Sequence, residues 1–340
     1  IPKHELLPKI LNNIVGFDLN PLAVMAARTN YLMALREMLK LGGEIEIPVY
    51  LCDSIMTPAE YGELITKEGT ATGGIGKVQE LKTSAARFMI PTEIAQSRQT
   101  VAAYAEELEH CVRNDYSEDE FIHRLKGEKI PVASEELHKT LHRQVVKLKK
   151  QNQNDIWARI IKNSFAPLFT ERVDYVIGNP PWVNYENLPA EYREASALVW
   201  ERYALFPKGG WRARFAKGNT ELAMVFTYVS MDAYLKPLGK LGFVCTQSVF
   251  QSKEAGRGFR SFSFPDKSRR IQVGLVEDFT SVQPFEGATN RSAAFVAAVS
   301  SVGSSYPVRY IEWSRKQGAV IHTSDTLLEV IGKSRQINKH

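Results

Sequence analysis

The sequence predicts an α/β fold, a mostly parallel open sheet interrupted by a helical insertion, and three observations predict it. Three short β-branched or aromatic runs each stop at a small polar side chain: Ile14–Phe17 at Asp18, Ile47–Cys52 at Asp53, and Val173–Gly178 at Asn179. Helix-periodic sequence follows the first run and precedes the third. In open parallel sheets ligands sit just beyond the carboxyl ends of the strands, so Asp18, Asp53 and Asn179 are expected to line one crevice.

Asn20-Pro21 after Asp18 supplies an N-cap and a first-turn proline, so a helix starts there. Leu22, Met25, Ala26, Thr29, Leu32, Met33 and Leu39 recur at three- and four-residue intervals with Arg28, Arg36 and Lys40 between them, which predicts one face packed on a sheet. From about Met56 to Gln153 a glycine-rich piece (Gly69, Gly73, Gly74, Gly76) leads into helix-forming sequence with balanced charge. There the basic run of Lys147, Lys149 and Lys150 reads as a solvated helical face. Ile156, Trp157, Ile160, Ile161 and Phe165 predict a helix over 155–169 leading into the third strand. Glu221–Leu235 reads as a further helix and Lys240–Val249 as a strand entered through Gly239 and Gly242. Glu277-Asp278-Phe279 and Ser292–Val299 continue the alternation, and no internal repeat or low-complexity tract occurs.

At 340 residues the chain buries a sizeable core, as one enlarged domain or two, and 44% hydrophobic with 24% charged residues is the composition of a folded globule. No apolar run is long enough to cross a bilayer and nothing resembles a signal peptide, so a cytoplasmic location and no membrane partner are expected. Cys52, Cys111 and Cys245 are far apart and form no CxxC pair, so neither disulfides nor a metal site is suggested. A net charge of +5 is compatible with a polyanion but weak evidence for one. The first residue is Ile1 and helix-like sequence follows at once, so the chain is expected to begin inside a longer protein.

The most informative stretch is Asn179-Pro180-Pro181-Trp182. Two successive prolines cannot continue a sheet ladder; they make a rigid turn that holds the asparagine and the indole in set directions. Such a turn suits an acceptor amine whose lone pair is delocalised into a ring or carbonyl. The Asn179 side-chain oxygen and the Pro180 carbonyl would accept hydrogen bonds from the amine and aim its lone pair at a methyl donor. Trp182 would stack on a base swung out of a duplex, and no cysteine nucleophile is needed. Asp18, at a strand end before a helix, has the place of an acid that binds ribose hydroxyls; Asp53 would accept from an adenine amine or cap a loop.

The succession Gly16-Phe17-Asp18-Leu19-Asn20-Pro21, then Asp53, then Asn179-Pro180-Pro181-Trp182 resembles the second, third and fourth motifs of adenine-specific (N6) DNA methyltransferases, the large methylases of restriction-modification and phage-defence systems. Gly218-Asn219 with the helix around Phe226, Gly239–Ser248, and Gly287–Phe295 with Asn290-Arg291-Ser292 resemble the family's later motifs more loosely. The resemblance implies a class I S-adenosylmethionine-dependent methyltransferase fold, Rossmann-like. It implies cofactor binding by Asp18, Leu19, Asp53 and Ser54, catalysis by Asn179, Pro180, Pro181 and Trp182, and a double-stranded DNA partner with base flipping. Linked or separate restriction or defence subunits are further implied partners.

One departure is plain: the family's first, glycine-rich cofactor motif normally lies roughly 20 residues before the acid, yet Ile1–Phe17 holds only Gly16. The fold is therefore expected to be truncated at its first strand. Residues 1–55 would be the first part of the catalytic domain, 56–154 the insertion, 155–325 its remainder, and 326–340 a tail towards a downstream region. The loop carrying Lys208, Trp211, Arg212, Arg214 and Lys217 suits phosphates or a displaced strand, and equally suits a bare exposed basic loop. The dispersed cations Lys253, Arg257, Arg260, Arg269 and Arg270 read as solvated surface.

Three rivals remain. Methyltransferases acting on protein glutamine or on RNA amines face the same lone-pair problem and use similar turns. A catalytically inactive, DNA-binding methylase-like module would keep the fold alone. Hydride transfer is disfavoured, because no GxGxxG occurs and Asn-Pro-Pro-Trp has no role in it.

Overall fold

The computed structural model describes residues 2–41, 45–56, 78–82, 87–150, 157–206, 220–251, 256–285, 290–322 and 324–339. The chain divides into two units, Ile1–Thr170 and Glu171–His340.

In the first unit, helix α1 (Lys3–Asn13) leads into β1 (Gly16–Asp18), and the cap read from Asn20-Pro21 is realised. The Asn20 side-chain oxygen accepts the Leu22 and Ala23 amides at 2.9 and 3.4 Å at the start of α2 (Pro21–Leu35). Pro21 occupies the first turn, where its missing N–H leaves nothing unsatisfied. Strand β2 (Val49–Leu51) pairs in parallel with β1, Gly16 opposite Val49.

The expected packing of α2 is corrected. Leu22 and Met25 are 73% and 65% exposed and Leu32 and Met33 are also exposed, whereas Val24 and Leu35 are the buried positions. The reason is size, since two strands of three residues each are too small a platform to cover a helix of 15 residues. The helix is instead tied by hydrogen bonds: Arg28 Nε donates to the Val49 carbonyl at 2.9 Å and the Tyr31 hydroxyl to that of Ile10 at 3.0 Å.

Within the segment expected to be a helical insertion, the described residues from Val78 on form an antiparallel hairpin, β3 (Val78–Lys82) and β4 (Arg87–Pro91). Helices α3 (Arg98–Arg113), α4 (Glu118–Gly127) and α5 (Glu135–Lys150) follow. Ser97 caps α3, and Ser117 with Glu120 forms a capping box on α4. Phe88 and Ile90 of β4 join Tyr104, Leu108, Phe121, Leu125 and Leu141 in one core. Each such fully buried large apolar side chain contributes roughly 1.5–3 kcal/mol. Lys149 departs from the expected solvated face: its Nζ donates to the Val112 carbonyl at 2.8 Å and pairs with Asp115 at 3.0 Å, so it satisfies the end of α3. Helix α6 (Trp157–Ser164) and the 3-10 turn Ala166–Phe169 fill the predicted 155–169 helix, and Ile161 and Phe165 anchor it in the same core.

The second unit holds β5 (Val173–Gly178), with the predicted bounds, then α7 (Ala190–Arg202), α8 (Leu222–Val229) continued by a π turn over Ser230–Tyr234, and β6 (Leu235–Thr246). After α9 (Ser248–Gln251) come β7 (Arg270–Asp278), β8 (Ser292–Ser300), β9 (Tyr310–Arg315), α10 (Leu327–Lys333) and β10 (Ser334–Lys339). They form one six-stranded sheet in the order β10-β9-β7-β8-β6-β5. The α/β class stands as predicted; β5–β6 and β7–β9 pair in parallel like β1–β2, while β6–β8, β7–β8 and β9–β10 are antiparallel.

Strand β6 starts before the predicted Lys240 because it bulges: Val173 faces Leu235 but Tyr175 faces Lys240. Gly239 permits the bulge, since a Cβ there would lie 2.9 Å from the Lys236 carbonyl oxygen and 3.2 Å from that of Asp174. The expected tail over 326–340 is also corrected. Thr326 and Glu329 form a capping box on α10, and β10 adds an edge strand along all of β9. Arg269, read as solvated, pairs with Asp232 at 2.7 Å and Asp266 at 2.8 Å and lies over the Phe264 ring. Among the described residues no helix is long and apolar enough to cross a membrane.

Candidate active site

Parallel pairing of β1 with β2 places Asp18 opposite Leu51, and the Cys52 amide donates to the Asp18 carbonyl at 3.0 Å, so Asp18 and Asp53, two positions past its register partner, lie at the same end of the strand pair. Both carboxylates accept amide hydrogen bonds from the chain that follows them. Asp18 Oδ1 accepts the Asn20 amide at 2.7 Å, and Asp53 Oδ1 accepts those of Ile55 and Met56 at 2.9 and 3.1 Å. Asp18 and Leu19 are exposed; Asp53 and Ser54 are half-buried. Burial, reinforced by Asp53 and Asp18, pushes the thiol of Cys52 up; burial and Glu221 do the same to Cys245, and Cys111 is pushed up to about 11. Such thiols stay protonated at neutral pH and offer no thiolate nucleophile.

In the second unit Asn179-Pro180-Pro181-Trp182 follows β5 directly. Gly178, the last residue of β5, packs its Cα side against the Phe243 ring, where a Cβ would come within 3.1 Å. Asn179 and Pro181 are exposed, Pro180 is buried and Trp182 is half-buried. Trp182 Nε1 donates to the Val244 carbonyl at 3.4 Å, and its indole meets the edge of Phe285 at 5.4 Å with the planes 80° apart. Phe285 remains 41% exposed. Nothing in the sequence singled it out, because it lies about a hundred positions from Trp182 and only folding makes them neighbours; its position just ahead of the glycine-containing 287–295 segment was the one available signal.

The chain beyond the tryptophan is laced down. The Leu222 amide donates to the Val183 carbonyl at 2.8 Å, and the Tyr185 amide to that of Thr220 at 2.8 Å. The Tyr185 hydroxyl donates to the Arg193 carbonyl at 2.9 Å, and its ring meets the buried Trp200 edge-on at 5.2 Å. At the neighbouring end of β7, Asp278 Oδ2 accepts from the Tyr310 hydroxyl at 2.6 Å and from Gln247 Nε2 at 3.3 Å. Burial first, then the bond to Asp278, pushes the Tyr310 hydroxyl up, so it serves as a fixed donor. The result is a turn whose tryptophan is fastened to β6 and whose exit is tied to Thr220 and Leu222.

The sequence model of the Eco57I restriction-modification methylase family matches residues 12–278. The chain belongs to this family. The match takes in Asp18, Asp53 and the Asn179–Trp182 turn of the restriction-modification methylase chain. Among solved structures the chain is similar to the type ISP restriction-modification enzyme LlaBIII bound to DNA, at 12% identity and a TM-score of 0.41 over 92% of this chain and 15% of that one. A DrdV–DNA complex is similar at 15% identity and a TM-score of 0.40, over 92% and 22%. The M protein of the type I restriction enzyme EcoKI is similar at 12% identity and a TM-score of 0.24, over 43% and 25%. The chain thus spans about a fifth or less of the length of the first two. No curated protein matches it.

The five residues of the basic loop, Lys208, Trp211, Arg212, Arg214 and Lys217, lie outside the described residues, as do Lys253 and the glycine-rich piece with Gly69 and Gly73.

Proposed function

We propose that this restriction-modification methylase transfers a methyl group from S-adenosylmethionine to the exocyclic amine of an adenine flipped out of double-stranded DNA, within a restriction-modification or phage-defence system. The observation that carries the reading is the Asn179-Pro180-Pro181-Trp182 turn directly after β5, with Trp182 braced by Val244 and Phe285.

Asn179 is exposed and its side-chain oxygen accepts one amine hydrogen; the Pro180 carbonyl accepts the other. With both N–H bonds so directed, nitrogen pyramidalises and its lone pair is released from the ring. Trp182 offers its face to the base, offsetting part of the stacking lost on flipping. The extra proton on the methylated nitrogen leaves to solvent.

Adjacent carboxylates at the ends of parallel strands fit a cofactor with a ribose diol and an adenine amine, since both present donors to acceptors. Asp18 would hold the diol and Asp53 the amine, with Leu19 and Ser54 beside them. S-adenosylmethionine, when bound, supplies an electrophilic methyl group. Lys208, Trp211, Arg212, Arg214 and Lys217 would meet the DNA backbone.

The test is transfer of labelled methyl from S-adenosylmethionine to mixed-sequence duplex DNA by the full-length protein, with nucleoside analysis of the product. N6-methyladenine is the expected product. Label in protein or RNA but none in DNA would overturn the proposed acceptor.

A further inference from the structure

Glu221 is a charged residue placed where charge is costly. It is 4% exposed, just ahead of the apolar helix α8. Its two carboxylate oxygens take hydrogen bonds from two hydroxyls where β6 ends and α9 begins: Oε2 from Thr246 and Oε1 from Ser248. Its backbone forms a bridge with Asn184, flanked on either side by the Leu222–Val183 and Tyr185–Thr220 hydrogen bonds at 2.8 Å each. One residue thus grips the segment that follows Trp182 through its main chain and the end of β6 through its side chain. Val244, which receives the Trp182 indole N–H, lies two positions before Thr246 on the same strand.

We infer that Glu221 is a positioning residue for methyl transfer: it locks the exit of the Asn-Pro-Pro-Trp turn to the end of β6, and so sets where Trp182 and Asn179 present themselves to the acceptor. The inference rests on the proposed methyl-transfer reading. It requires two hydrogen-bonding atoms at this point but not a negative charge. Glutamine preserves the lock, because Thr246 Oγ1 and Ser248 Oγ are 2.9 Å apart and close a ring of hydrogen bonds. In that ring the amide N–H donates to Ser248, Ser248 donates to Thr246, and Thr246 donates to the amide oxygen. Alanine removes the lock and leaves the buried Thr246 hydroxyl and the half-buried Ser248 hydroxyl without their shared acceptor.

Two readouts on the full-length protein test this. In Glu221→Ala, kcat for methyl transfer to mixed-sequence duplex DNA falls by about tenfold or more, as expected when reacting groups are misplaced, with methyl-donor affinity within about twofold of wild type. Amide hydrogen exchange at Tyr185 and Leu222 speeds up by about tenfold or more, while exchange in the strands of the sheet is unchanged. Glu221→Gln recovers most of both losses. Wild-type exchange at Tyr185 and Leu222 in Glu221→Ala, acceleration spread over the whole second unit, or a Gln variant as impaired as Ala overturns the inference. If the wild-type protein methylates no DNA, the exchange arm still decides: acceleration confined to Tyr185 and Leu222 upholds the lock, and the failure then belongs to the proposed acceptor.

Discussion

Trp182 donates its indole N–H to the main-chain carbonyl of Val244 at 3.4 Å, which fastens the ring of the turn to the strand beside it. Phe285 closes one edge of that ring at 5.4 Å. A stacking platform needs a fixed plane more than a particular ring. Trp182→Ala should therefore reduce kcat/KM for DNA by roughly 5- to 150-fold, the equivalent of about 1–3 kcal/mol of base stacking. Trp182→Phe should keep a large part of the activity although it loses the bond to Val244. Steady-state methylation with both variants checks this, and an alanine variant as active as wild type would exclude stacking on Trp182.

Asn179 is exposed at the end of β5 and belongs to no buried cluster, so its loss should be felt in chemistry and hardly in folding. Asn179→Ala is expected to lower kcat by about 10²–10³-fold, the scale of deleting one preorganised partner of a transition state. Unfolding midpoint and methyl-donor affinity should not change. Single-turnover kinetics beside calorimetric titration of the donor separate the two, and a parallel loss of donor affinity would point to a structural role.

What was legible in the sequence was local. Val173–Gly178 declares a strand by its β-branched and aromatic run and its end by Asn-Pro-Pro, and Asn20-Pro21 declares a helix start through groups a few residues apart. What was illegible depends on partners far along the chain. The apolar period of α2 is real, yet the strands available to it are too short to cover it, so Leu22 and Met25 face outward. Nothing near Ser334–Lys339 announces a strand, because β9 supplies its ladder. The hairpin of β3 and β4 was hidden for the same reason: each strand makes sense only beside the other. Of the candidate site, the acids and the turn were readable as strand ends, whereas Phe285 and Glu221 matter only through neighbours that folding brings to them.

Two histidines a helical turn apart make the first unit acid-sensitive. His138 is fully buried between the Tyr104 hydroxyl and Glu93, each at 3.1 Å, and His142 stacks on Phe121 with no hydrogen-bond partner for either ring nitrogen among the described residues. Burial lowers both ring pKa values, opposed by Glu93 at His138 and by Glu118 at His142. A histidine whose folded pKa is depressed binds its proton more readily when unfolded. Stability is therefore complete above the unfolded value of about 6.5 and declines as pH falls below it. The urea midpoint of the α3–α5 bundle should drop between pH 7 and pH 5, and His142→Phe, which keeps the ring and removes the titration, should flatten that dependence. A midpoint independent of pH in the wild-type protein would contradict this account.

Gly258 and Ala204 show how the second unit holds its turn from behind. A Cβ on Gly258 would collide with the Ala204 carbonyl oxygen and lie 2.9 Å from the Leu205 Cα, both main-chain atoms that no rotamer change can move aside. Ala204 sits just past α7 with a φ of 51°, already in the left-handed region, so the loop has little freedom to retreat. Leu205 and Trp200 are fully buried, and Trp200 carries the Tyr185 ring at 5.2 Å. Gly258→Ala must push this loop outward and with it the packing beneath Tyr185. The expected cost is roughly 1–3 kcal/mol, the usual price of overpacking, together with reduced methylation at temperatures where wild type is fully active. Ala204→Gly, which relieves the left-handed residue without touching the contact, should be neutral or slightly stabilising. Thermal unfolding of the two variants measures both, and a Gly258→Ala protein with the wild-type midpoint would show that the backbones do not approach this closely.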